Sequence, residues 1–91
     1  MKDTRRFLRI SRLIGEDKAA RLNDTFVVIV GLGAVGGYAL EALARSGVGQ
    51  FRLVDFDTIG ITNINRQLLA TDSSIGRKKV EVARERGLDI N

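Results

Sequence analysis

"FVVIVGLGAVGGYALEALARSGVG", Phe26 to Gly49, is the stretch whose reading decides the fold, and "VDFD", Val54 to Asp57, completes it. A continuous β-branched and aromatic run, Phe26 to Val30, predicts a strand covered on both faces, as in a parallel sheet. From Ala34 to Arg45 apolar residues recur at helical spacing through Val35, Tyr38, Ala39, Ala42 and Leu43, and Ser46-Gly47 supplies a stop. Gln50 to Phe56 predicts the next strand. Between the first strand and its helix stand Gly31, Gly33 and Gly36, in the spacing G-x-G-x-x-G. The first glycine permits a tight turn, the second lets a phosphate approach the backbone, and the third lets helix and strand pack closely. Unpaired N–H groups and the positive end of the helix dipole then face the anion.

Working outward, Asp55 falls at the carboxyl end of the second strand, about twenty residues past the glycines, where an acid accepts ribose hydroxyls. Asp57 either does the same or caps the following turn. A dinucleotide-dependent oxidoreductase fits equally well up to this point. "TNINRQ", Thr62 to Gln67, tips the balance toward adenylyl transfer, because a dinucleotide site has little use for two amides, a guanidinium and a further amide at that place. Asn63 and Asn65 suit the positioning of phosphate oxygens or of a magnesium shell, and Arg66 suits a bidentate grip on a triphosphate. Fixed cations stabilise the charge that builds on a transferring phosphoryl centre. Lys79, past Gly76, adds a second cation.

Upstream, residues 4–14 predict a short helix with an imperfect stripe of Phe7, Leu8, Ile10, Leu13 and Ile14, ended by Gly15, and "EDKAARL" predicts another. Residues 66–70 predict one or two helical turns, and Gly76 to Arg86 a last helix. The fold class is therefore α/β: the N-terminal half, βαβα, of a Rossmann-like doubly wound parallel sheet, preceded by one or two short helices. Residues 1–25 form an N-terminal helical arm and residues 26–91 the nucleotide-binding half. No strand follows the last helix, so the expectation is the front part of a longer domain, nearly inactive alone though able to hold nucleotide. An open sheet edge then offers itself to a second copy.

Composition narrows the chemistry. Cysteine, histidine and proline are absent from the 91 residues, which removes disulfides, thiolate nucleophiles and the usual zinc ligands. Apolar residues make up 44% and charged residues 29%, a globular balance without a membrane-spanning run or an export signal, so the expected place is the cytoplasm. Net charge is +4, with Lys2, Arg5, Arg6, Arg9 and Arg12 bunched at the front. That cluster reads either as a surface for phosphate-bearing partners or as a solvated helix face.

"GLGAVGG…EALARSGVG…LVDFDTIGITNINRQLLA…IGRKKVEVARERGLDIN" resembles the ThiF/MoeB/HesA adenylyltransferases, relatives of ubiquitin-activating enzymes. The resemblance runs from Arg6 to Asn91 and rests on D-x-D followed by T-N-x-N-R-Q. "RFLRISRLIGEDKAARL" and "EALARSGVG" look most like the branch that uses ATP to cyclise threonylcarbamoyladenosine in tRNA. What the resemblance implies is nucleotide contact at Gly31, Gly33, Ala34, Gly36, Asp55, Asp57, Asn63, Asn65, Arg66, Gln67 and Lys79, with Arg66 and Lys79 catalytic. It also implies ATP with Mg2+, whose main ligand belongs to a segment past residue 91, with no metal ligand in this chain. A homodimer, in which Arg9 or Arg12 reaches the neighbour's ATP, and tRNA as partner follow likewise. Adenylation of the C-terminal glycine of a sulfur-carrier protein is the alternative substrate, and a noncatalytic dimerising module the alternative of another class. Two departures stand out: Ala34 replaces a family glycine and Gly37 a family serine.

Overall fold

The computed structural model describes residues 3–91, so Lys2 of the basic front lies outside it. A 3-10 turn over Thr4–Phe7 is followed by α1 (Leu8–Ile14), α2 (Glu16–Asn23), β1 (Phe26–Val30), α3 (Ala34–Arg45), β2 (Gln50–Val54), a 3-10 turn over Ile61–Asn63, and α4 (Lys79–Ile90). β1 and β2 pair in parallel, from Phe26 opposite Gln50 to Val30 opposite Val54. Gly31 prolongs the ladder by donating its N–H to the Val54 carbonyl at 2.8 Å. The expected βαβα order with leading helices is thus realised.

Each boundary has a local cause. Phe7 leaves helical geometry (φ −109°, ψ 13°) and divides residues 4–14 into the 3-10 turn and α1. α3 ends in a Schellman motif: Val48 N–H bonds the Leu43 carbonyl, Gly47 N–H bonds that of Ala44, and Gly47 takes φ +103°. β2 stops two residues earlier than expected because Asp55 accepts the Asp57 N–H at 2.8 Å, an Asx turn that bends the chain out of the ladder. Phe56, expected in the strand, is 96% exposed. Residues 66–70 form tight turns rather than helix. α4 starts at Lys79, not Gly76, since Gly76 has φ +85° and Lys78 is held extended by an antiparallel bridge to Thr58. It also runs through Gly87 to Ile90, past the expected end at Arg86.

The core is a single cluster of Ile29, Leu32, Leu40, Ile59, Leu69, Ala70 and Ala83, with Val27, Phe51, Leu53, Val80 and Val82 packed against it. It lies on one face of the sheet, under α3 and α4. The other face of β1, carrying Phe26, Val28 and Val30, is exposed, which differs from the two-sided burial expected of that run. α3 turns Gly37, Leu40 and Ala44 inward; of the stripe Val35, Tyr38, Ala39, Ala42 and Leu43 read from periodicity, Ala39 and Leu43 are half-buried while Val35, Tyr38 and Ala42 are exposed, Val35 to 84%. The helix is apolar on more than one side, and periodicity cannot choose between two apolar faces. Among the described residues no helix is long and apolar enough to cross a membrane.

Two polar ties hold the periphery. Glu41 on α3 accepts from Arg86 Nε on α4 at 2.6 Å and from Arg45 Nε at 2.9 Å. The Arg86 guanidinium, aided by Arg45 and opposed by partial burial, holds the Glu41 carboxyl below its usual range. At the other end Asn91 Nδ2 donates to the Val48 carbonyl at 2.7 Å, and Arg6 donates to that of Ile90 at 2.6 Å.

Gly36 and Gly37 are neighbours with opposite requirements. A Cβ at Gly36 would collide with the Gly31 carbonyl, whereas one at Gly37 would meet the Leu32 oxygen and Leu69 Cγ at an ordinary 3.8 Å. Gly37→Ala should therefore raise stability by about 1 kcal/mol in urea unfolding, and Gly36→Ala should abolish the cooperative transition. Glu41 has a depressed folded pKa, so its contribution is full above its unfolded value of 4.5 and fades as pH falls through the lower folded value. Glu41→Gln should cost roughly 1 kcal/mol at pH 7 and flatten the loss of stability below about pH 4.5, measured by thermal melts across pH.

Candidate nucleotide site

The glycine loop is shaped by a few anchors. Gly31 needs its positive φ of +87° to turn the chain out of β1. Leu32 then drives its side chain into the core, with 0% exposed, while its N–H is held at 2.7 Å by Asp55 Oδ2. Gly33 is the N-cap of α3, and no side chain caps the helix, so its first N–H groups stay open. The reasons for the three glycines differ. Gly36 is demanded by close packing on the Gly31 carbonyl. Gly33 has a negative φ of −75°, and a Cβ there would meet nothing nearer than Gln67 Nε2 at 3.8 Å. Local packing does not demand a glycine at 33, since a Cβ there would make only an ordinary contact.

Asp55 is half-buried at the end of β2, with Oδ2 on the Leu32 N–H and Oδ1 on the Asp57 N–H. Burial pushes its carboxyl up, but the two N–H donors and the Lys79 charge outweigh it and hold the group below its ordinary value. Asp57 is exposed, and its carboxylate has no partner among the described residues.

The "TNINRQ" segment is ordered largely by its own polar groups. Asn63 Oδ1 accepts the Gly60 N–H at 2.9 Å, the capping role that competes with ligand positioning. Arg66 is exposed, and one of its terminal nitrogens donates to the Thr62 carbonyl at 2.9 Å and to Asn65 Oδ1 at 3.1 Å. The guanidinium expected to face the glycine loop is thus docked on its own turn. Gln67 behaves differently: only 9% exposed, it lies beside Gly33 and has no side-chain hydrogen bond among the described residues.

Lys79 is brought in by a strap. The bridge of Thr58 to Lys78, Ile59 N–H on the Arg77 carbonyl and Lys79 N–H on the Asp57 carbonyl bind the start of α4 to the chain leaving β2. Lys79 is 6% exposed, and its ammonium makes neither a salt bridge nor a hydrogen bond to any described residue. Its charge is nonetheless felt at Asp55. Among the described residues no sealed side-chain nitrogen or oxygen lacks a partner, so the tips of Gln67 and Lys79 both keep contact with solvent. Two buried polar stems with open tips, near a bare glycine turn and a fixed carboxylate, fit an anionic ligand. Among the described residues no cluster of three or more acids stands ready for a metal ion.

Two further residues shape the candidate site without a place among the polar residues of the motifs. Leu32 contributes through its backbone N–H, which only the G-x-G spacing flags. Ser74 is buried, donates to the Leu69 carbonyl at 2.7 Å and accepts the Thr71 N–H at 2.8 Å, fixing the turn behind Gln67. Arg9 and Arg12 are exposed on α1, away from any described acid partner, while Arg5 pairs with Asp3.

A family model described as the ThiF family matches residues 5–91. The tRNA threonylcarbamoyladenosine dehydratase of Haemophilus influenzae is 49% identical over 86 residues, covering 94% of this chain and 33% of that protein. The molybdopterin-synthase adenylyltransferase of Salmonella typhimurium is 47% identical over 70 residues, covering 77% of this chain and 28% of that protein. Among solved structures, the E. coli tRNA N6-threonylcarbamoyladenosine dehydratase in complex with ATP superposes with a TM-score of 0.94 at 42% identity, over 97% of this chain and 36% of that one. The chain spans about a third of the length of these relatives.

The Lys79 stem is buried while its ammonium keeps contact with solvent. Lys79→Met should leave the melting temperature within a few degrees of wild type and lower ATP affinity about tenfold. Differential scanning fluorimetry with and without ATP reads both effects in one experiment.

Proposed function

The chain belongs to the ThiF family, and from that premise we propose that it is the nucleotide-holding part of an enzyme that spends ATP to activate a carboxylate, with threonylcarbamoyladenosine of tRNA as acceptor. The observation that carries this reading is the bond from the Leu32 N–H to Asp55 Oδ2, which joins the glycine turn beside Gln67 to the carboxylate that feels the Lys79 charge. Residues 1–25 act as an arm and residues 26–91 as the nucleotide-binding half. ATP supplies the adenylyl group and a good leaving group. The chain's residues hold and orient it: N–H groups from Gly33, Ala34 and Gly36 face phosphate, with Gly31 setting the turn. Asp55 accepts from ribose, assisted by Asp57, and Asn63, Asn65 and Gln67 orient phosphate oxygens. Lys79 and Arg66 offset the charge that builds during transfer, Arg66 through the nitrogens its docking leaves open.

Mg2+ would supply further neutralising charge to the nucleotide, with its main protein ligand outside these residues. The exposed guanidinium of Arg9 or Arg12 enters the neighbour's site in a homodimer, and the enzyme works in the cytoplasm on tRNA. The similarity to a molybdopterin-synthase adenylyltransferase supports a second reading, in which the carboxylate is the C-terminal glycine of a sulfur-carrier protein.

Equilibrium dialysis against ATP and NADH separates this function from a hydride-transfer one: ATP is expected to bind more tightly, and a preference for NADH would reject the proposal. Arg66→Ala should weaken ATP binding by about tenfold.

A further inference from the structure

We propose that Asp55 positions the nucleotide's phosphate chain by clamping the glycine loop through the Leu32 N–H, in addition to any contact with ribose. This rests on the nucleotide reading above. Both carboxylate oxygens already serve the protein: Oδ2 holds Leu32 at 2.7 Å and Oδ1 holds Asp57 at 2.8 Å. The first bond joins the end of β2 to the middle of the turn that follows β1. Leu32 sits between two glycines, which have the widest backbone freedom of any residue. Three contacts restrain that turn: the Gly31 N–H on the Val54 carbonyl, the buried Leu32 side chain and the Leu32 N–H on Asp55. The first two fix where the turn begins and how deep it sits. The third fixes the plane of the Gly31–Leu32 peptide, and together with the buried Leu32 side chain it narrows the directions open to the Gly33 N–H and the start of α3. A loop held in this way has little ordering left to do when phosphate arrives, so the clamp adds affinity by preorganisation. Asp55 is then a positioning residue for the phosphates.

The carboxamide of Asp55→Asn keeps the shape but can accept at only one of its two ends, so it cannot satisfy both N–H groups. Wild type and Asp55→Asn, each checked for an unchanged circular dichroism spectrum, are titrated with ATP and with 2′,3′-dideoxyATP. The latter has no ribose hydroxyl for the acid to hold. The expected result is a loss of about tenfold for both nucleotides. An unimpaired affinity of Asp55→Asn for the dideoxy nucleotide would show that the acid acts through ribose alone and would overturn the clamp. Failure of the wild type to bind either nucleotide would overturn the function proposed above and remove the premise of this one.

A second measurement needs no variant. In the wild-type protein the Leu32 amide proton resonance should move with pH through the same midpoint as the Asp55 carboxyl carbon. A Leu32 amide that ignores that titration overturns the proposal even if Asp55→Asn does not fold.

Discussion

The close approach of α3 to the end of β1 at Gly36 is the constraint on which the rest of the molecule depends. No side chain fits between that helix and the Gly31 carbonyl, so the helix is drawn down against the strand's end. Its uncapped first turn is thereby set beside the carboxyl end of β2, from which Asp55 reaches Leu32. Had the helix stood off by one methyl group, the Leu32 side chain would not seat in the core while its N–H met Asp55. A packing requirement and a binding geometry are satisfied by the same missing atom.

Around that point the chain uses backbone hydrogen bonds to bring distant segments together. The strap between residues 57–59 and 76–79 places the first residue of α4 beside the loop that leaves β2, burying the stem of Lys79 near Asp55. Locally, the Ser74 hydroxyl fixes the turn that follows Gln67. These devices hold polar groups in place before any ligand is present. The Lys79 and Gln67 side chains keep their polar tips at solvent while their stems are buried. Some charges elsewhere are paired: Glu41 joins α3 to α4 through Arg86, and Arg77 meets Glu85.

Much of the site was legible as a pattern. Gly31, Gly33 and Gly36 announced a turn into a helix, and the apolar run before them announced a strand, because turn conformation and strand preference are properties of a few consecutive residues. Lys79 and Gln67 were singled out by position, and both prove buried and unpartnered. Arg66 was legible as a cation but not in its orientation, since the acceptors it adopts, the Thr62 carbonyl and Asn65 Oδ1, depend on how a polar turn closes. The inner face of α3 was misread because the helix carries apolar residues on two sides, and only the partner, here the sheet and α4, decides which side is core.

What the amino-acid order determined by itself is the local grammar: a strand, a glycine turn, a helix closed by Ser46-Gly47, a second strand ending in acids, and a chain without thiol or imidazole chemistry. Those features arise from steric and hydrogen-bonding rules acting within a few residues. The tertiary structure alone decided that Asp55 bonds Leu32, that α4 waits until Lys79 to begin, and that one face of β1 is core while the other is open. Each depends on which remote segment arrives to supply a donor, an acceptor or an apolar surface, and burial is a relation between parts of the chain that no short stretch carries.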